Sequence, residues 1–201
     1  MTNNFVPDFN NRLSQSFFLQ DPEKVAKELI GTVLCKKNNG SYLAGKIVET
    51  EAYLSRNDMS SHSYPGVTNR NKPMFAEGGI LYVYKSYGIH HCINIVTEKE
   101  GIGSAVLIRA LEPISGINVM ISNRGVEEIN RLCKGPGNTA KAYDFDLSDN
   151  YSSLTTEDLF IQNFSDNNKT EIINTTRIGI SKSVDLMLRF YLKNSHFVSR
   201  K

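Results

Sequence analysis

The tripeptide Asn38-Asn39-Gly40, set between two apolar-rich runs, constrains this chain more than any other feature. Asn and Gly tolerate the positive φ that tight hairpin turns need, so Thr32 to Lys37 and Tyr42 to Leu54 are predicted to lie antiparallel. Ile80 to Tyr84, Ile89 to Thr97 and Ser104 to Leu111 read as further strands, separated by Tyr87-Gly88 and by a turn containing Gly101 and Gly103. Helical signals flank this run. Asp21, Pro22 and the apolar positions Val25, Ala26, Leu29 and Ile30 give an N-cap, a first-turn proline and a buried stripe, with Gly31 as the stop. Ser115 begins a second helix with Ile117, Met120 and Ile121 on one side, ending at Gly125, and a third follows Pro136. Strands in a run with helices at both ends specify an α+β fold: a single mixed domain over residues 1–201, with a central, mostly antiparallel curved sheet flanked by helices. Ser55 to Gly79 is polar, broken by Pro65, Gly66, Pro73, Gly78 and Gly79, and long enough that a functional loop is expected. Asp144 to Thr170, rich in Ser, Thr, Asn and Asp, reads as a surface excursion or weak hairpin anchored by Phe160 and Ile161.

Composition narrows the function classes. A length of 201 residues, 40% of them hydrophobic and 22% charged, suits one globular domain with a sizeable core. No apolar run reaches membrane-spanning length, so no membrane association is expected. The first residues, MTNNFVPDFNNRLSQ, show neither a basic nor an apolar signal region, and an intracellular location is expected. Cys35, Cys92 and Cys133 are odd in number and far apart, which argues against a disulfide framework, structural zinc and an iron-sulfur cluster. Neither GxGxxG nor GxxxxGK[ST] occurs, and no metal or cofactor is expected. The net charge of +2 does not by itself announce nucleic acid. Arg124, Arg131 and Lys134 cluster, and the tail after Asp185 carries Arg189, Lys193, Arg200 and Lys201 with no acid, but solvated surface is the simpler reading of each group.

In Lys46 to Leu54 the strand period puts Val48, Thr50, Ala52 and Leu54 on one face and Ile47, Glu49, Glu51 and Tyr53 on the other. Glu51 and Tyr53 therefore project together. A carboxylate beside an aromatic ring suits a pocket where one group manages a proton and the other holds a flat substrate, but from this segment alone acids lining a solvent face are the preferred reading. His62, in the long loop, could shift a proton or donate a hydrogen bond beside Glu51. His90 and His91 alternate faces and make no metal pair. Tyr82 and Tyr84 share a face, where core packing explains them, whereas Tyr87 at the glycine turn exposes a large ring that needs a stacking partner.

Taken in order, Gly45 to Leu54, His62, Arg70-Asn71-Lys72-Pro73-Met74-Phe75, Leu81-Tyr82-Val83-Tyr84 with Tyr87-Gly88, Cys92-Ile93-Asn94-Ile95 and Val106 to Pro113 resemble the alkyladenine (3-methyladenine, or methylpurine) DNA glycosylases. Leu132 to Gly137, Arg177-Ile178-Gly179-Ile180 and Leu188-Arg189-Phe190-Tyr191 extend the resemblance over nearly the whole chain. Asn138 to Lys141 and Ser181 to Met187 depart from the family's pattern. The resemblance implies a monofunctional, monomeric glycosylase that flips alkylated or deaminated purines, 3-methyladenine-like lesions and hypoxanthine, out of duplex DNA and leaves an abasic site. It implies action in the bacterial nucleoid, or in the nucleus of a eukaryote. It makes Glu51 the group that deprotonates the attacking water, and Tyr53, Tyr84 and His62 the rings that sandwich the base. Asn94 would exclude guanine by crowding its exocyclic amine. Tyr87 would be the wedge that fills the duplex, with Arg109 near the lesion phosphate and Arg70 and Lys72 also on DNA.

Two other classes compete: a catalytically silent nucleic-acid-binding module, which gives no reason for a carboxylate among aromatic rings, and a glycan hydrolase, for which two acids on one strand face flank a scissile bond poorly. A water nucleophile is expected rather than a lysine. Lys46 falls opposite Glu51 by strand period, Lys72 lies in the polar loop, and Lys85 sits at a strand end where a phosphate contact is simpler.

Overall fold

The computed structural model describes residues 5–164 and 171–200. Helix α1 is a single turn, Gln15–Phe18, and α2 spans Pro22–Glu28. The Asp21 carboxylate accepts from the backbone N–H of Glu23 and Lys24, and Val25 and Ala26 are buried, so α2 forms for the reasons visible in its sequence. Strands β1 (Val33–Asn38) and β2 (Ser41–Tyr53) make the predicted hairpin, with Asn39 at φ 47° and Gly40 at φ 80°. Two consecutive left-handed residues give the turn a twist that matches its strands. Strands β3 (Leu81–Ser86) and β4 (His90–Thr97) use the same device, with Tyr87 at φ 48° and Gly88 at φ 69°.

Strand β5 (Ser104–Ser115) continues past its predicted end at Leu111, and helices α3 (Ile117–Arg124), α4 (Ile129–Leu132) and α5 (Pro136–Ala142) follow it. Strand β6 (Leu159–Gln162) pairs with β1, so Phe160 and Ile161 anchor the polar stretch as part of the sheet and not as a surface excursion. Positions 165–170 of that stretch, and Lys201, lie outside the described residues. The helices expected at both ends of the strand run are present, α2 before it and α3 to α5 after it, and the C-terminal region adds strands β7 (Ile172–Thr175) and β8 (Arg189–Leu192). The curled antiparallel sheet runs β3-β4-β5-β2-β1-β6. Strand β8 joins β2 where β1 leaves it: β1 pairs as far as Lys46, and β8 pairs from Glu49 to Glu51. The middle of β2 is thus covered on both edges.

Alternation sorts the sheet into two faces. Leu81, Val83, Ile93, Ile95, Val106, Ile108, Val48 and Ala52 enter the main core with Val25 and Leu29 from the α2 region and Ala140 and Ala142 of α5. The intervening residues of β2 to β5 turn the other way, towards the site. One expectation fails here. Ile47 was expected beside Glu49 and Glu51, but both Ile47 and Val48 are in the main core. The β2 and β5 registers shift between Ile47 and Glu49 and again between Glu49 and Thr50, a local bulge that exchanges the inward and outward positions of the strand. The exchange also moves Lys46 to the face of Glu51. Lys46 is nonetheless ion-paired with Glu112 at 2.9 Å, and five residues of strand separate it from Glu51 by roughly 16 Å.

Candidate active site

Glu49 and Glu51 are both fully buried, which removes the solvent-face reading of the pair. Glu51 Oε2 accepts from Arg109 Nη1 at 3.1 Å and from the Tyr53 hydroxyl at 3.0 Å, while Oε1 accepts from the Ile178 N–H at 2.7 Å. Burial pushes the Glu51 carboxyl above the ordinary glutamate range, against the pull of Arg109, the Ile178 N–H and the Tyr53 hydroxyl. Arg109, from β5, also donates Nε to Glu49 Oε1 at 3.1 Å and is itself buried. An arginine expected on a phosphate is therefore committed to two carboxylates, because β2 presents both acids on the face that Arg109 shares.

Those partners open onto a cavity of about 560 Å³. Tyr53, His62, Tyr82, Tyr84, Asn94 and Arg109 line it, with Ile178 and the residues after it forming a further wall. Glu51 lies directly beneath this lining, behind Tyr53, Arg109 and Ile178. The His62 ring meets Tyr84 edge to face, with centroids 4.5 Å apart, and its Nδ1 lies 3.0 Å from the Tyr82 hydroxyl. Burial, aided by Arg70, lowers the His62 pKa, and burial raises Tyr82 to about 12. His62 and Tyr84 touch, so no base fits between them; they form one wall. Asn94 donates Nδ2 to the Tyr82 carbonyl at 3.1 Å, which fixes its amide at the cavity edge. Tyr53 carries the Arg177 guanidinium over one ring face at 4.6 Å, leaving the other face for a ligand.

With this geometry in view, the sequence comparisons decide the family. A model of the methylpurine-DNA glycosylase (MPG) family matches residues 16–196. Relatives named as 3-methyladenine DNA glycosylases include one from Chlorobium phaeobacteroides (strain BS1), 44% identical over 94% of this chain and 96% of its own length. Another, from Francisella tularensis subsp. tularensis (strain SCHU S4 / Schu 4), is 48% identical over 88% of this chain and 92% of its own. A third, from Methanoculleus marisnigri (strain ATCC 35101 / DSM 1498 / JR1), is 44% identical over 94% and 99%. The chain belongs to the methylpurine-DNA glycosylase family. It is a monofunctional DNA glycosylase, a hydrolase of N-glycosyl bonds that binds DNA. The binding-module and glycan-hydrolase readings fall with that assignment. No helix among the described residues is long and apolar enough to cross a membrane, and none of their His, Cys, Asp and Glu side chains form a group of three or more that could hold a metal ion.

The remaining site candidates of this glycosylase lie at the rim. Tyr87 stands 89% exposed at the β3–β4 turn. Arg70 is exposed beside the cavity, donating to the Lys85 carbonyl at 3.2 Å with its guanidinium 5.5 Å from the Tyr84 ring centre. Lys72 is exposed at the start of a 3₁₀ turn, Lys72–Phe75, and does not line the cavity. Several supporting residues escaped the sequence reading. Arg177 forms a fully buried two-pronged ion pair with Asp58, at 2.6 and 2.7 Å, and donates to the Ala52 carbonyl, tying the long loop to the end of β2. Arg189 reaches Glu49 Oε1 at 2.7 Å. A signal existed for Arg189: an arginine inside the apolar run Leu188 to Leu192 marks a paired buried charge. Asp58 had none, being one acid in a polar loop.

Proposed function

We propose that this glycosylase rotates a damaged purine out of duplex DNA into the cavity, between the open face of Tyr53 and the His62–Tyr84 wall, and hydrolyses its N-glycosidic bond with water. The observation that carries the reading is the Glu51 carboxylate, held by three donors directly behind an aromatic-walled cavity. Those donors take two acceptor positions on Oε2 and one on Oε1, so a water proton is accepted at Oε1. Ile178 comes from a segment outside the strands, and it is the partner that can give way without breaking the sheet. Water adds to the sugar C1′ as the bond to the purine nitrogen breaks; Glu51 takes the water proton, and the purine leaves with the bonding electrons. A cationic alkylpurine such as 3-methyladenine needs no further help. A neutral lesion such as hypoxanthine must gain a proton as it leaves.

Asn94, its amide fixed against Tyr82, restricts space for an exocyclic amine and so discriminates against guanine. Tyr87 fills the gap left in the duplex, and Arg70 and Lys72 contact phosphates. Arg109 works on the carboxylates in this reading, not on the lesion phosphate. Single-turnover excision from a duplex carrying one alkylated purine, read by alkaline cleavage at the abasic product, tests the scheme. Glu51→Gln is expected to lower excision by about 10²- to 10⁴-fold, the range for a lost general base, with lesion-DNA binding held within about tenfold. A wild-type excision rate from this variant removes Glu51 from the role.

A further inference from the structure

Glu49 is as fully buried as Glu51, yet the proposed reaction does not use it. Four donors converge on it: Arg109 Nε at 3.1 Å, Arg189 Nε at 2.7 Å, and the Ser199 N–H and hydroxyl at 2.6 and 2.9 Å. A buried carboxylate with this many partners is costly to assemble, and it fixes the geometry of whatever it holds. What it holds is Arg109, whose other arm, Nη1, donates to Glu51 Oε2 at 3.1 Å. A guanidinium is a rigid planar fork, so anchoring Nε on Glu49 also sets the direction of Nη1. The charges alternate along the chain Glu51, Arg109, Glu49, Arg189, and none is left uncompensated. The far end is closed by the C-terminal segment: Val198 is buried, Ser199 reaches Glu49, and Arg189 donates to the Arg200 carbonyl.

We infer that Glu49 is a positioning residue for base excision: clipped by Arg189 and Ser199, it fixes the Arg109 guanidinium and, through it, the Glu51 carboxylate. The inference rests on Glu51 as the group that takes the water proton. It makes residues 198–200 part of the hydrolytic machinery, although they lie far from Glu51 in sequence. Glu51 is faced by Arg109 from β5, by Glu49 and Tyr53 from β2, by Tyr84 from β3, and by Arg177 and the Ile178 N–H from the segment after β7. Of these, Glu49 carries the negative charge that opposes ionisation of Glu51.

The test is single-turnover excision across pH by Glu49→Gln, Ser199→Ala and Glu51→Gln, with lesion-DNA binding and thermal unfolding measured alongside. Glu49→Gln is expected to lower the plateau rate about 10- to 100-fold, the scale found for supports behind metal ligands. Its acid limb should also move to lower pH, because Glu51 ionises more readily without the neighbouring charge. Binding should stay within about threefold (~0.7 kcal/mol). A wild-type plateau overturns the inference, and so does a lowered plateau with the acid limb unmoved, since a merely structural loss slows excision equally at every pH. Should Glu49→Gln not fold, Ser199→Ala decides, because it keeps every charge: slower excision at unchanged binding supports the clip, and a wild-type rate overturns it. Full activity in Glu51→Gln would sink the reading of the site and this inference together. An inactive Glu51→Gln beside a wild-type Glu49→Gln sinks the Glu49 role alone.

Discussion

The floor of the cavity and its rim are built in opposite ways. In the floor, Glu49, Glu51, Arg109, Arg177 and Arg189 are buried, and each is ion-paired within the protein. At the rim, Tyr87 is 89% and Ile89 71% exposed, and Arg70 and Lys72 face solvent. The groups assigned to the chemistry thus have their orientation set by the fold before DNA arrives, which is what electrostatic preorganisation requires. The groups assigned to DNA have partners still to gain. If that contrast is real, substitutions in the floor should cost stability and alter the chemistry, while substitutions at the rim should alter binding and leave the fold intact.

Arg109→Gln probes the floor and has the largest expected effect. Removing one member of a buried ion pair costs about 3–5 kcal/mol, and Glu51 would keep only Tyr53 and Ile178 as partners. Denaturant unfolding at neutral pH measures the loss. The pH profile of excision supplies a sign. Arg109 draws the Glu51 pKa down, so its loss should move the acid limb to higher pH, opposite to the shift expected for Glu49→Gln. A stability loss below about 1 kcal/mol, the level of an exposed pair, would show the floor to be no more committed than the rim.

The rim was the more legible of the two regions. Tyr87-Gly88 is a local signal: a turn between two strand patterns exposes its tip whatever else the chain does. The pairing of Glu51 with Tyr53 followed from strand alternation alone, because both residues lie beyond the bulge, whereas the placement of Ile47 and Lys46 failed because the register shifts between them and Glu51. No local pattern announces where a ladder skips a residue; the twist and packing of the neighbouring strand decide it. The same limit hid β8. Its four residues form a strand because the outgoing edge of β2 is open after Lys46, a fact about a segment about 140 positions earlier in the chain. The carboxylate partners of Arg109 were not legible, since sequence supplies a positive charge without saying which acids of the protein it meets.

Tyr87→Ala moves the test to the rim. Unstacking a base step costs a few kcal/mol, and an inserted ring offsets part of it. Excision from a paired lesion is expected to fall about tenfold, while excision from the same lesion in a bulge or mismatch, where the base is already loosened, falls less than threefold (~0.7 kcal/mol). Thermal unfolding should not change, because the side chain packs against almost nothing. Equal losses on both substrates would place Tyr87 in the chemistry and blur the boundary between floor and rim.

The smallest effects belong to Arg70 and Lys72, and they divide the rim itself. A side chain that neutralises one phosphate contributes about 0.9 to the slope of log affinity against log salt concentration. Arg70 lies beside Tyr84 at the mouth of the cavity, where the proposed reading brings the backbone of a rotated nucleotide, and Arg70→Ala is expected to lower the slope by about that amount. Lys72 stands outside the cavity lining, on a flexible stem, and Lys72→Ala should lower it by less than half as much. Equilibrium binding of lesion duplex and of undamaged duplex at several salt concentrations makes the measurement. Phosphate contacts carry no base information, so each variant should weaken both duplexes alike. A loss confined to the lesion duplex would mean that Arg70 acts on the rotated nucleotide through His62 and Tyr84, which would bring it into the floor's company.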